Sequence, residues 1–384
     1  MSYAERQKKL IGSIRAESAD AFLVRKKENI AYLTGARGED AVLFVSAGKN
    51  VLITDSRYEE EYKKNAWKCS VRIAGNKNLQ EIISETCAET GSKLIGFEAD
   101  NFTYRAYLNL KKRLGNRKLI PLMQVVEGLR ILKDNTEIRH IRQACEYGAK
   151  LMNYAIKITK PGISENTVKR MIEAHASKNN IDLAGFDIIV ASGANASMPH
   201  AAASDKVIKR QEMVMIDLGA VYFSYNSDLT RTVFLGRINH KYLHAYNIVL
   251  ASQSIAIENL KPGVYAKDID AVSRQYISNR GMGSFFIHSL GHGIGRETHE
   301  IPAISQNSKI KLEKGMVVTI EPGIYIPGWG GIRIEDTVLI TENGCEVLTK
   351  GAVKLHGFTR GSLERIPSQL HSSQPSRAGL SGEG

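Results

Sequence analysis

Four carboxylates and one imidazole in the second half of this sequence have the chemistry of metal ligands. Each lies in its own short motif: Asp217 in IDLGA, Asp228 in YNSDLTRT, His292 in SLGHGIG, Glu321 in TIEPGIY and Glu335 in IRIEDTV. Carboxylate oxygens and imidazole nitrogens bind hard or borderline divalent cations. Four carboxylates drawn together without cations would repel one another strongly. If the fold brings these side chains together, we therefore expect the site to hold metal ions.

The four acidic candidates form two pairs with similar surroundings. Asp217 and Asp228 lie in MVMIDLGAVYFSYNSDLTRTVFL, and Glu321 and Glu335 lie in MVVTIEPGIYIPGWGGIRIEDTVLI. Each stretch predicts two strands joined by a turn, and Pro322 should end one of these strands because proline cannot donate to a ladder. Antiparallel neighbours bring side chains within about 5 Å on one face. This spacing suits two metal ions about 3.5–4 Å apart.

A helical hairpin is predicted before each pair of strands. Residues 137–158 place apolar side chains near helical spacing. A Lys-Pro-Gly turn follows, and Ser164 is the expected N-cap of the next helix. The second hairpin is predicted over 241–260 and 267–280, again with a Lys-Pro-Gly turn between its helices. Because helix, turn, helix and strands recur in this order, we infer an internal pseudo-repeat.

The first third of the chain alternates predicted strands and helices. Helices are predicted over 3–17, 78–90 and 103–114, and strands over 21–24, 41–45, 50–54 and 93–98. This alternation implies a small α/β domain over about the first 120 residues.

The length and composition indicate a two-domain protein of a reducing compartment. The chain has 384 residues, which exceeds one typical domain. Its first residues are charged and include no apolar stretch of signal-peptide length, and no run approaches the roughly 18–20 apolar residues of a bilayer span. The four cysteines are far apart and form no CxxC pair. We therefore expect a cytoplasmic protein without a membrane partner.

Nucleic-acid or nucleotide binding finds little support. The formal net charge is +12, with basic clusters at 24–27, 111–118 and 206–210, but no recognition motif accompanies them. We interpret the charge as a solvated surface that could steer anionic peptide ends. The GHGIG motif lacks a full GxGxxG pattern, so its glycines instead predict close backbone approach around His292.

The motifs, in this order, resemble those of the pita-bread (M24-type) metallopeptidases, which include Xaa-Pro aminopeptidases, prolidases and methionine aminopeptidases. The strings NIAYLTG (29–35) and LITDSRY (52–58) resemble the creatinase-type N-terminal domain of the first two groups. Methionine aminopeptidases generally lack that domain, so the proline-directed branch is favoured.

The resemblance implies a fold and a division of the chain. It implies an α/β creatinase-like N-terminal domain at 1–125. A pita-bread α+β catalytic domain with a pseudo-twofold repeat and a curved antiparallel sheet should follow at 126–355. Residues 356–384 are rich in Ser, Gly, Gln and Arg, and we expect a disordered or appended tail there.

The resemblance also assigns roles within the site. Asp217 would bind one of two divalent ions, Asp228 and Glu335 would bridge both, and His292 and Glu321 would bind the second. Mn or Co is expected, with Fe or Zn as alternatives. Further active-site positions match the following residues: His200, His288 and His299 on the substrate side, Arg333 beside the bridging carboxylates, and Tyr325 in the cleft wall. Glu321 is also a candidate proton shuttle.

The function implied by the resemblance is hydrolysis of the peptide bond between an N-terminal residue and a following proline. A strict Xaa-Pro dipeptidase (prolidase) is the alternative, since the sequence does not show what closes the exit side of the cleft. Two other interpretations are a non-hydrolytic protein- or RNA-binding member of the fold and a metal-free hydrolase. The complete ligand set argues against both. The substrate partner would be a peptide with proline second, and a homodimer is expected from the resemblance alone.

Overall fold

The computed structural model describes residues 1–75 and 77–354. The tail predicted at 356–384 lies outside the described residues. None of the described helices combines the length and the hydropathy that a membrane span requires.

A six-stranded mixed sheet organises the first third of the chain. Its strands are β1 (Ala21–Val24), β2 (Val42–Ser46), β3 (Asn50–Thr54), β4 (Ser70–Ile73), β5 (Leu94–Glu98) and β6 (Lys118–Leu122). The spatial order is β4-β3-β2-β1-β5-β6, with β2 antiparallel to both of its neighbours and the other pairs parallel.

Helices cover both faces of this sheet. They are α1 (Tyr3–Ala16), α2 (Lys27–Thr34), α3 (Glu59–Asn65), α4 (Leu79–Thr90) and α5 (Tyr104–Leu114). The side chains of β1 alternate between two buried clusters, with Phe22 and Val24 in one and Ala21 and Leu23 in the other. A sheet buried on both faces accounts for the continuous apolar sequence of its central strands.

The described residues of the linker and of the second part of the chain include five α-helices. They are α6 (Val125–Arg130), α7 (Asn135–Ile158), α8 (Glu165–Lys178), α9 (His240–Asn259) and α10 (Ala266–Ser278). The predicted N-cap of α8 is confirmed, because Ser164 Oγ accepts from the backbone N–H of Thr167 at 3.1 Å. The helices predicted from apolar spacing are likewise present, with ends within two residues of those observed.

Thirteen described strands follow the linker. They are β7 (Asp182–Leu183), β8 (Ile189–Ser192), β9 (Glu212–Leu218), β10 (Ala220–Tyr222), β11 (Tyr225–Asn226), β12 (Leu229–Leu235), β13 (Gly291–Gly293), β14 (Glu300–Ile304), β15 (Val317–Ile320), β16 (Gly323–Ile326), β17 (Gly330–Arg333), β18 (Asp336–Ile340) and β19 (Cys345–Val347). Two of the antiparallel sheets have the orders β12-β9-β8 and β14-β13-β15-β18-β19.

The predicted pseudo-repeat is present in the topology. The helix pair α7–α8 precedes β9–β12, and the pair α9–α10 precedes β15–β18. In each unit the first and last strands pair antiparallel, and a small hairpin is inserted between them. The expectation of a simple turn between the ligand-bearing strands is wrong, because a hairpin lies between them in each unit. The physical reason in the second unit is Pro322, which ends the ladder after β15.

Candidate functional site

The two repeat units meet at one cavity, and all five predicted ligands line it. The cavity has a volume of about 480 Å³. Asp217 lies in β9 and Asp228 immediately precedes β12, while Glu321 follows β15 and Glu335 precedes β18. The units are joined at this point by the backbone N–H of Glu335, which donates to the Thr230 carbonyl at 3.1 Å. Two larger cavities of about 850 and 640 Å³ lie elsewhere, so chemistry rather than volume distinguishes this site.

The ligand atoms lie at metal-binding spacing. One atom each from Asp228, His292 and Glu335 lies within 4.8 Å of the others. His292 Nε2 is 3.8 Å from Asp228 Oδ2 and 3.3 Å from Glu321 Oε1. A cation between these atoms would therefore meet several donors at once.

Each of three carboxylates keeps a buried oxygen without a hydrogen-bond partner: Asp217 Oδ1, Asp228 Oδ1 and Glu335 Oε1. Leaving a buried acceptor unsatisfied costs about 1–3 kcal/mol. Burial also raises the pKa of Asp228 and Glu335 well above the usual carboxyl range, and neighbouring carboxylates add to the rise. Divalent cations would relieve both costs, so the residues present fit a metal site.

Protein partners hold the opposite oxygens of two of these carboxylates. Arg333 Nη2 donates to Asp217 Oδ2 at 2.5 Å, and Thr230 Oγ1 donates to Glu335 Oε2 at 2.6 Å. Arg333 Nε in turn donates to Thr230 Oγ1 at 3.0 Å. Since one oxygen of each carboxylate is fixed by the protein, the other is left oriented toward the cavity.

Local backbone geometry orients the imidazole of His292. Its Nδ1 lies 3.0 Å from the Gly293 carbonyl, which can only accept, so Nδ1 carries the proton and Nε2 faces the carboxylates. Burial lowers the pKa of His292, but the hydrogen bond and charge of Glu321 raise it overall. A metal ion at Nε2 would take the place of that second proton.

The glycines beside His292 allow close backbone approach, as predicted. A Cβ at Gly291 would lie 2.0 Å from the Thr319 carbonyl oxygen, and one at Gly293 would lie 2.4 Å from that of Ile301. Neither position can hold a larger residue without displacing backbone. The pairing of β13 with β15 brings His292 Nε2 within 3.3 Å of Glu321 Oε1.

Three further histidines line the same cavity. His200 is exposed at its mouth, and the His299 ring centroid lies 4.2 Å from that of His292. His288 Nδ1 lies 2.7 Å from the Ser289 carbonyl, so its Nε2 can accept from the Tyr325 hydroxyl at 3.0 Å. Burial lowers the pKa of both His288 and His299, and His292 adds to the effect on His299. Both imidazoles are therefore held toward the neutral form.

Tyr325 is only 3% exposed and lies behind the lining side chains. Its hydroxyl accepts from Arg333 Nη1 at 2.8 Å, and burial raises its pKa to about 12. These contacts orient Arg333 and His288. The substrate contact expected for Tyr325 from the resemblance stays a prediction.

The sequence interpretation missed the side chains that support the ligands. Thr230 is fully buried, and Thr319 Oγ1 donates to Glu321 Oε1 at 3.1 Å. Arg231, 1% exposed, pairs with Asp336 at 2.8 Å and donates from Nη1 to the Glu335 carbonyl. The available signal was the run of hydroxyl residues around 227–232, whose partners lie about a hundred positions away.

Comparison with known proteins places the chain among peptidases. Metallopeptidase family M24 matches residues 139–342, and the Creatinase/Prolidase N-terminal domain matches residues 6–132. An Xaa-Pro dipeptidase of Pyrococcus furiosus is 40% identical over 347 residues, which cover 90% of this chain and 98% of the relative.

Solved structures agree with these matches. An Xaa-Pro dipeptidase from Bacillus anthracis has a TM-score of 0.90 at 35% identity, covering 93% of this chain and all 100% of its own. An X-Pro aminopeptidase from Thermotoga maritima has a TM-score of 0.82 at 36% identity, covering 89% and 97% respectively. The predicted fold class and the resemblance drawn from the motifs are confirmed.

Proposed function

The chain belongs to metallopeptidase family M24, and from that premise we propose that it hydrolyses the peptide bond between an N-terminal residue and a following proline. One observation carries the proposal. The four carboxylates and one imidazole of five separate motifs line a single cavity, and three of the carboxylates present a buried free oxygen. Relatives matched over 97% or more of their own length are named for action on Xaa-Pro substrates.

We propose that two divalent ions bind here. Asp217 would hold one ion, Asp228 and Glu335 both, and His292 with Glu321 the second, in agreement with the free oxygens and with the orientation of His292 Nε2. Carboxylate-rich ligation favours Mn or Co, with Fe or Zn as alternatives. When bound, such ions make hydroxide available as a nucleophile near neutral pH.

The protein's own residues orient the reacting groups. Glu321 would accept the proton of the attacking water and deliver it to the leaving proline nitrogen. His299, held toward the neutral form, can donate a hydrogen bond to the scissile carbonyl as negative charge develops on its oxygen. His288, whose Nδ1 proton is directed at the Ser289 carbonyl and whose Nε2 faces the Tyr325 hydroxyl, would contact the substrate through its ring. His200 at the mouth can contact the substrate beyond the scissile bond. Because an amide anion is a poor leaving group, the proline nitrogen has to be protonated as it departs.

The cavity lining favours an aminopeptidase over a strict dipeptidase. A dipeptide carries its carboxylate next to the scissile bond, where a cation would normally hold it. Among the described residues that line the cavity, Arg333 is the one arginine or lysine, and its contacts are already made to Asp217, Thr230, Tyr325 and the Pro199 carbonyl. The names of several relatives favour the dipeptidase, which stays the second candidate.

A small peptide panel tests the function. We expect loss of hydrolysis on chelation, recovery with Mn or Co, and higher kcat/KM for an Xaa-Pro-Yaa tripeptide than for the matching Xaa-Pro dipeptide. Cleavage of the dipeptide alone would establish the prolidase alternative. Full activity after all metal has been removed, or none on any Xaa-Pro peptide, would overturn the proposal. If the protein cleaves no Xaa-Pro peptide but binds protein or RNA, its role is non-hydrolytic.

The proposal also covers the domain division, the oligomeric state and the location in the cell. We propose residues 1–125 and 126–355 as the two domains, since the six-stranded sheet lies within the first and both acidic pairs lie within the second. A homodimer is proposed from the resemblance, and the native mass in solution tests it. A cytoplasmic location is proposed in agreement with the free cysteines, and cell fractionation tests it.

A further inference from the structure

The turn from Gly295 to His299 is held by the carboxylate of Glu300. The backbone N–H of Glu297 donates to Glu300 Oε1 at 3.1 Å, and that of Gly295 donates to the Glu297 carbonyl at 3.0 Å. A Cβ at Gly295 would lie 2.8 Å from the Glu300 carboxylate oxygens, so the turn closes tightly on this group. This turn leads directly to His299, whose ring centroid lies 4.2 Å from that of His292.

Two cations from the linker hold Glu300 in place. Arg130 Nη2 pairs with Glu300 Oε1, and Lys133 Nζ lies 3.1 Å from Oε2. All three side chains are buried: Arg130 and Glu300 are each 3% exposed, and Lys133 is 2% exposed. Burial by itself raises the pKa of Glu300. The positive charges of Lys133 and Arg130 outweigh this effect and bring the pKa down to about 2. The carboxylate is therefore a fixed negative charge between two fixed positive ones.

The same network continues into the N-terminal domain. Arg130 Nη1 donates to Asn29 Oδ1 at 2.6 Å, and Asn29 Nδ2 donates to Glu98 Oε1 at 2.7 Å. Lys26 Nζ lies 2.7 Å from Glu297 Oε2, which also contacts Arg130 Nη2 at 2.9 Å. Asn29 is fully buried. An unbroken chain of polar contacts thus runs from β5 of the first sheet to the turn before His299.

We propose that Arg130 and Glu300 are positioning residues for His299, and that the N-terminal domain sets their arrangement through Asn29. The proposal rests on the proposed function, because it assigns His299 a task in peptide hydrolysis. Buried and connected polar networks rigidify the segments they join. A shift of about 1 Å in a catalytic group can lower the rate about 100-fold. The first domain would thereby contribute to catalysis without contacting the reacting atoms.

A double-mutant cycle separates positioning from general stability. Glu300→Gln keeps the shape of the side chain but removes its charge, and we expect kcat to fall about 10–100-fold with little change in KM. In a His299→Ala background the same change should lower kcat less than about twofold, since the group being positioned is absent. Glu346→Gln, which alters the ion pair with Arg142, is the matched control and should leave kcat and metal content unchanged.

A readout without turnover separates this proposal from the proposed function. With ¹³C-labelled histidine, the His299 resonance is identified by its loss in His299→Ala. Glu300→Gln should shift or broaden it and leave His175, which stacks on Tyr154, unchanged. An unmoved His299 signal, or equal losses of kcat in both backgrounds, would refute positioning even if the enzyme cleaves Xaa-Pro peptides. If Glu300→Gln does not fold, Glu300→Asp retains the charge and shortens its reach, and the same cycle applies.

Discussion

The Thr230→Val substitution tests how the protein prepares its metal ligands. Valine has nearly the shape of threonine, so the change removes one hydroxyl from a fully buried position. That hydroxyl donates to Glu335 Oε2 at 2.6 Å and accepts from Arg333 Nε at 3.0 Å. Without it, Glu335 can rotate, and Arg333 Nε has no partner. The proposed bridging oxygen of Glu335 would lose its fixed direction.

The expected size of the effect follows from these two contacts. A hydrogen bond to a charged group contributes about 1.5–3 kcal/mol. A free-energy change of about 1.4 kcal/mol changes a dissociation constant tenfold. Loss of this hydrogen bond therefore corresponds to about 10–150-fold weaker metal binding, which agrees with the effect of altering residues that orient metal ligands. The stranded Arg333 Nε should also lower the free energy of unfolding by about 1–3 kcal/mol.

Competition with a chelator measures the metal affinity, and urea unfolding of the metal-free protein measures the stability. Thr230→Ser is the control, because it restores the hydroxyl and should return the affinity to within about threefold of the wild type. Wild-type metal affinity in Thr230→Val would refute the role assigned to this hydroxyl. So would a serine variant that binds metal as weakly as the valine variant.

Two further predictions concern the ligands and the network behind them. Asp228→Ala or Glu335→Ala should abolish hydrolysis, because each removes a proposed bridge between the ions; near-normal turnover in either variant would contradict the two-metal assignment. Glu300, whose pKa falls to about 2, should stabilise the fold above its ordinary pKa of 4.5 and lose that effect as pH falls toward 2. The shift corresponds to about 3 kcal/mol, so the stability advantage of wild type over Glu300→Gln in urea unfolding should shrink by this amount between pH 5 and pH 2. Parallel loss of stability in both proteins would show that Glu300 is not the group responsible.

The sequence by itself determined the local elements and the chemistry of the site. Apolar spacing located α7, and the hydroxyl of Ser164 with a Lys-Pro-Gly turn located the start of α8, because helix periodicity and capping depend on near neighbours. The five candidate ligands were recognisable because each occurs in a short motif of its own. The pseudo-repeat was visible for the same reason, since matching strings precede Asp217 and Glu321.

Only the tertiary structure decided which atoms meet. Thr230 and Glu335 are 105 positions apart, and Arg130 and Asn29 are 101 apart, so no local pattern links them. The inserted hairpins β10–β11 and β16–β17 were likewise missed, because they depend on where each ladder is interrupted. Contacts of this kind are set by how two sheets and two domains pack against each other. That packing leaves one oxygen of Glu335 bound to Thr230 and the other without a protein partner in the cavity.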